Sequence, residues 1–167
     1  MIWNLIAKLC ARPAVANWLI RRAMRTPDMH LPGYMDRLWL FNPYNRDTRR
    51  ARWAWIPFSI RIHHILRADK GRDHHDHPWN ARTCILSDWY DETRLEWVGS
   101  DASLRQIEVR RRRQAGDTAT IDFGEYHTIT AVPPGGVWTL FIMGRYRGNW
   151  GFLVEGQKVP YQEYDNA

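Results

Sequence analysis

From Pro57 onward the chain is a succession of short alternating segments divided by turn residues. Only layered or closed β architectures absorb such a pattern. Residues 59–67 set Ile60, Ile62, His64 and Leu66 against Arg61, His63, Ile65 and Arg67. Successive side chains of extended backbone point to opposite faces, so this is one strand with two unlike faces. Further strands are predicted at 82–90, 104–113, 118–123, 126–132 and 137–146, with 92–98 extending the first of these or pairing with it. Gly99-Ser100-Asp101, Ala115-Gly116-Asp117 and Pro133-Pro134-Gly135-Gly136 separate them. The last of these turns reads as a hairpin with Val132 opposite Val137. In that register His127, Ile129 and Ala131 would face Trp138, Leu140 and Ile142.

The first third is different. Residues 2–10 and 14–25 have helical periodicity, with Ile2, Leu5, Ile6 and Leu9 in one stripe and Val15, Trp18, Leu19 and Ala23 in another. Pro13 suits the start of the second helix and Arg21, Arg22 and Arg25 its C-terminal end. These helices are expected to lie against the outside of the domain, in preference to a membrane surface or a partner helix. Between Thr26 and Pro57 lie turn residues and aromatic anchors, including Trp39, Phe41, Tyr44, Trp53 and Trp55, with a short strand near 38–41. The organisation expected is an extension, 1–57, packing on a barrel, 58–167.

Charge and cysteine content narrow the function classes. The net charge is +6, and Arg46, Arg49, Arg50 and Arg52 cluster ahead of Trp53 and Trp55. Basic residues interleaved with aromatics can bind single-stranded nucleic acid, but a solvated loop is the commoner meaning, and no nucleic-acid partner is expected. Two cysteines, Cys10 and Cys84, make no disulfide framework and fit a reducing, cytoplasmic compartment. Lys8, Arg12 and Pro13 interrupt the apolar start, against a secretory leader. No apolar run reaches membrane-spanning length, and no membrane partner is expected.

Three of the seven histidines fall within Gly71-Arg72-Asp73-His74-His75-Asp76-His77-Pro78-Trp79. On extended backbone His75 and His77 share a face, and Pro78 ends the run. A fourth, His127, lies in a later strand. Two near neighbours and one remote residue are the layout of a metal site closed by folding, since neutral imidazole is the commonest protein ligand. His74 and Asp76 share the opposite face, so His74, Asp76 and His127 form a competing two-histidine, one-carboxylate set. A polar surface loop holding no metal is the plainer reading of such a cluster. No serine or cysteine has a recognisable base partner, and glycine-rich phosphate loops are absent.

Gly116, five residues, Asp122-Phe123-Gly124, two residues and His127 resemble the second motif of the cupin superfamily, with Asp122 in place of its proline and Ala131 in place of its asparagine. His75-Asp76-His77 is similar to the first motif, whose glutamate position holds Ala81. With His-Asp-His-Pro-Trp and the later Trp150-Gly151-Phe152, the chain also looks like a group of small cupin-like proteins of phage or prophage type.

The resemblance spans roughly residues 58–150. It implies a mainly β fold, a double-stranded β-helix with N-terminal helices, holding one metal on His75, His77 and His127. Three histidines without the glutamate look like the site of iron dioxygenases that act on thiols or diketones. The cofactor implied is Fe(II), with Zn, Mn or Ni also suited to imidazoles. The partner implied is a small anionic molecule, drawn to a dication that neutral ligands leave uncompensated. Strand alternation would aim Thr83, Ile85 and Ser87 inward and turn Cys84 away, and Arg61 or His63 on the preceding strand could reach the cavity, where an arginine would bind a carboxylate; an arginine held in a surface cross-strand ion pair is the commoner arrangement. Two other functions stay open: a non-enzymatic cupin with a structural metal or none, and a sugar isomerase or epimerase. Cupins often pair, so a homodimer is compatible.

Overall fold

Two β-sheets face one another, and the chain crosses between them repeatedly. The computed structural model describes residues 1–44, 53, 55–71, 73–100 and 103–164. Its elements run α1 (Ile2–Cys10), α2 (Pro13–Ala23), β1 (Pro27–Leu31), β2 (Met35–Phe41), β3 (Ser59–Ile65), β4 (Ala81–Ser87), β5 (Trp89–Val98), β6 (Arg105–Gln114), β7 (Thr118–Ile121), β8 (His127–Ala131), β9 (Val137–Met143), β10 (Gly151–Val154) and β11 (Gln157–Pro160). The larger sheet has the order β1-β2-β3-β9-β4-β7, with antiparallel neighbours throughout. Opposite it lie β6-β5-β8 and the hairpin β10-β11.

The central strands of the larger sheet, β3, β9 and β4, are covered on both faces, which suits the nearly continuous apolar run of β9. Ile62, Cys84, Leu86 and Leu140 point outward and meet Ala7, Ala16, Leu19 and Ala23 of the helices. From the same strands Ile65, Ile85 and Val137 point inward to Met35, Tyr90 and Ile129. Ala81, Ile121, Phe141 and Met143 continue the interior, with Trp39 and Trp79 packed on them. The two faces predicted for residues 59–67 are therefore real: one holds the helices and the other lines the barrel.

Four expectations are corrected. The segments 126–132 and 137–146 do not pair. β8 hydrogen-bonds to β5 in the smaller sheet, while β9 lies between β3 and β4 in the larger. A strand apolar on both faces belongs in the middle of a sheet, and β9 is one. The Pro-Pro-Gly-Gly turn carries the chain between sheets: Gly136 N donates to Pro133 O at 2.9 Å. Gly136 has φ +79°, and a Cβ there would sit 2.5 Å from Ile65 O, so only glycine fits the crossing. Leu140 consequently packs under the helices and forms no wall around His127.

The strand predicted at 82–90 is broken at Asp88, with φ 60°, and its two parts belong to different sheets. The turn-rich stretch after Thr26 supplies β1 and β2, so residues 27–41 are hydrogen-bonded into the same sheet as β3. Finally, α1 does not bury its stripe. It approaches the sheet through Ala7, with Cys10 beside it, while Ile2, Leu5 and Leu9 face outward. Arg46, Arg49, Arg50 and Arg52 lie outside the described residues.

Candidate metal centre

His75 is wedged between two strands. It exchanges backbone hydrogen bonds with His127, His75 N to His127 O at 2.9 Å and His127 N to His75 O at 3.0 Å. On its other side it bridges to Phe152. The segment around His75 thus joins β8 to β10 and completes the smaller layer. Its neighbours fasten it there: Asp76 N donates to Gly151 O at 3.0 Å, Gly151 N returns to Asp76 Oδ1 at 2.8 Å, and Leu153 N donates to His74 O at 2.8 Å. Gly151 has to be glycine, because a Cβ would lie 2.1 Å from Val159 O.

Alternation then sorts the histidines. His75 and His77 point into the barrel beside His127, and one ligating atom from each lies within 4.8 Å of the others. His77 Nε2 and His127 Nε2 are 2.9 Å apart. Two imidazole nitrogens each about 2.1 Å from one ion, and at right angles across it, stand about 3.0 Å apart, so the pair fits a shared cation. Burial holds the pKa of His75 down at about 4, aided by His127, and holds His77 well below its ordinary value for the same reason. Neutral rings are what a metal needs. The three residues singled out from spacing are therefore together.

The competing set is not. His74 faces away, its Nε2 3.0 Å from Thr93 Oγ1. Asp76 is occupied by Gly151 N and by the Lys158 ammonium. The set of His74, Asp76 and His127 is thus excluded as a triad by the strand that places its first two members on the far face. Ala81, at the position of the cupin glutamate, contributes only a methyl group to the interior.

Two carboxylates stand behind the rings, and the sequence reading missed both. Glu92 is fully buried, with Oε2 3.5 Å from His127 Nδ1. It is held by Arg94, 3.0 Å from Nε to Oε1, and by Arg113 Nε at 2.7 Å. Burial alone would raise its pKa, but His127 and the two guanidinium groups bring it down to about 2. Asp69 Oδ2 lies 3.8 Å from His75 Nδ1 and accepts from Ile129 N at 2.7 Å; its other oxygen accepts from Tyr34 Oη. A carboxylate behind a ligating imidazole fixes its orientation and raises its basicity. The signal for Glu92 was its place between Tyr90 and Arg94 on one strand face; nothing local marks Asp69.

Aromatic rings enclose the site. Trp79 stacks on His77 at 6.1 Å between centroids, and Trp150 and Phe152 stand 6.3 and 6.0 Å from His75. Trp79 also lines a cleft of about 620 Å³ with Trp39, Tyr146 and Arg61. His63 is buried in the interior, while Arg61 lines the cleft with its Nη2 3.0 Å from Asp28 Oδ2, the cross-strand ion pair that the sequence also allows. His63 stacks on Phe141 at 4.8 Å, and Phe141 also contacts His77. Among the described residues Arg61 Nε, His63 Nε2, Trp79 Nε1, Arg94 Nε and His127 Nδ1 are buried without a well-formed hydrogen bond, the last two facing Glu92 at 3.0 and 3.5 Å. Buried polar atoms are nearly always paired, so Arg61 Nε and Trp79 Nε1, which line the same cleft, point to a missing polar partner there.

No family model matches the chain, and no curated protein matches it. Among solved structures it is similar to a vicilin from Solanum melongena, at 11% identity and a TM-score of 0.54, over 81% of this chain and 34% of that one. It is also similar to a variant of oxalate decarboxylase from Bacillus subtilis, at 12% identity and a TM-score of 0.50, over 75% of this chain and 29% of that one. The chain thus spans about a third of the length of these two structures. Both neighbours are cupin proteins, and the fold here is the cupin barrel with two N-terminal helices. Inside that barrel sits a three-histidine cluster able to accept a divalent ion. No described helix is long and apolar enough to cross a membrane.

Proposed function

We propose that His75, His77 and His127 hold one divalent metal, Fe(II) in the working protein, and that the protein is a non-haem iron dioxygenase acting on a small anionic substrate. The observation that supports this best is the convergence of one ring nitrogen from each of His75, His77 and His127 within 4.8 Å of one another inside the barrel. Three imidazoles on one side of an ion leave its other positions open. Bound iron would supply Lewis acidity and a redox centre for dioxygen, with both oxygen atoms ending in the product and the electrons coming from the substrate.

The protein's own groups do the rest. Glu92 and Asp69 stand behind the rings of His127 and His75, 3.5 and 3.8 Å from their Nδ1 atoms, where a carboxylate favours the neutral tautomer that presents Nε2 to a metal. They also offset part of the dication's charge, so the preference for an anion rests on other groups. Asp28 holds Arg61 Nη2 at 3.0 Å, which leaves Arg61 Nε and Trp79 Nε1 as donors for which a carboxylate is the natural acceptor. His63, neutral because burial and the nearby Arg37 and Arg61 depress its pKa, offers a third nitrogen. The rings of Trp79, Trp150 and Phe152 limit water around the site.

Elemental analysis of purified protein should find one iron per chain, and His75→Ala or His127→Ala should abolish it. Oxygen consumption on adding a carboxylate-bearing thiol or diketone supports the reading. Zinc, or no metal, with no oxygen consumption would favour a non-enzymatic binding cupin. Solvent-proton exchange into a sugar without oxygen consumption would favour an isomerase.

A further inference from the structure

The outward surface of the two N-terminal helices is left unexplained by the metal site. α1 packs on the sheet through Ala7, with Cys10 beside it and Arg82 lying over the Trp3 ring at 4.7 Å. Its opposite face carries Ile2, Leu5 and Leu9, which are 67%, 65% and 51% exposed. These three recur at helical spacing and form one continuous apolar strip. α2 buries Ala16, Leu19 and Ala23 against the same sheet, and exposes Trp18 (61%) with Arg21 and Arg22 around it. Because both helices lie on one face of one sheet, their free sides look the same way. An apolar strip therefore runs beside a basic one that carries a tryptophan.

The charge of this region has one sign. Residues 1–27 contain Lys8, Arg12, Arg21, Arg22 and Arg25 and no Asp or Glu. The helix dipole accounts for Lys8 at the end of α1 and for the arginines at the end of α2, but neither for Arg12 at the start of α2 nor for the absence of any acid. We infer that this outward face of α1 and α2 docks on an anionic lipid bilayer, α1 lying in the interface with its apolar strip down and α2 supplying Trp18 and the arginines. An interfacial helix needs an apolar face, flanking cations and an aromatic ring at the headgroup level, and all three are present. A second copy of the chain would set the two basic strips in one interface with no carboxylate to meet them. A nucleic acid would satisfy the arginines and leave Ile2, Leu5 and Leu9 against phosphate.

The test is sedimentation of the full chain with extruded vesicles. The protein should pellet with mixed phosphatidylcholine–phosphatidylglycerol vesicles and not with phosphatidylcholine alone, and raised salt should release it. Leu5→Glu with Leu9→Glu should weaken binding by about tenfold or more, and so should Arg21→Gln with Arg22→Gln. These side chains are exposed, so thermal unfolding and metal content should not move, which separates this result from failure of the metal site. Three outcomes would overturn the inference: no pelleting with either vesicle, a dimer that Leu5→Glu converts to monomer without any vesicle binding, or capture by duplex DNA that Leu5→Glu leaves unchanged.

Discussion

Glu92 is the side chain on which the centre leans most. It touches His127 Nδ1 and two arginines while shut away from water. Glu92→Gln keeps its shape and removes its charge, and should lower metal affinity about 10- to 100-fold, read by competition with a chelating dye. An unchanged affinity would mean that His127 is oriented by its strand alone. A second expectation concerns acid. In the metal-free protein burial keeps the pKa of His75 at about 4 and that of His77 low, whereas an unfolded chain titrates near 6.5. Between those values the unfolded chain takes up protons that the folded one refuses. Stability is therefore full above about pH 6.5 and falls as the pH drops toward 4, by about 3 kcal/mol for His75 alone. Urea unfolding of apo-protein across this window checks it; a flat profile would contradict neutral, buried rings.

The strand that carries His75 gets its place from others. Gly151 O accepts from Asp76 N and Gly151 N donates to Asp76 Oδ1, and a Cβ on Gly151 would collide with Val159 O. Gly151→Ala should cost about 1–3 kcal/mol and also weaken metal binding, because it pushes β10 off the His75 segment. Thermal melts with and without metal would separate the two effects. Period-two alternation made His75, His77, Arg61 and His63 readable, because it fixes which side chains share a face and needs no partner strand. Pairing was not readable. The turn at Pro133 looks like a hairpin in one dimension, and only the two apolar faces of β9 betray that it needs neighbours on both sides. Asp69 was invisible for a related reason: its place beside His75 is fixed by hydrogen bonds from Ile129 N and Tyr34 Oη, which are remote in sequence.

One sheet serves two purposes, and adjacent residues of β3 divide them. Ile62, with no exposure, holds the helices, while Arg61 and His63 look into the barrel. Ile62→Ala should destabilise the protein by about 2–5 kcal/mol and leave metal affinity where it was, measured by denaturation and by the chelator competition above. A fall in affinity would show that the helix layer shapes the site through the sheet. The cupin architecture was legible from the spacing of turns and the Gly-to-His motif. The start of the main sheet at Pro27 was not, because proline, aspartate and histidine are poor strand formers, and β1 is held by its pairing with β2.

His75 and His127 occupy one rung of a peptide ladder, so their spacing is built before any ion arrives. An incoming cation has little chain to gather. Uptake should leave amide exchange in β8 and β10 nearly as slow as before, with no disorder-to-order step, and empty and loaded protein should share one hydrodynamic size.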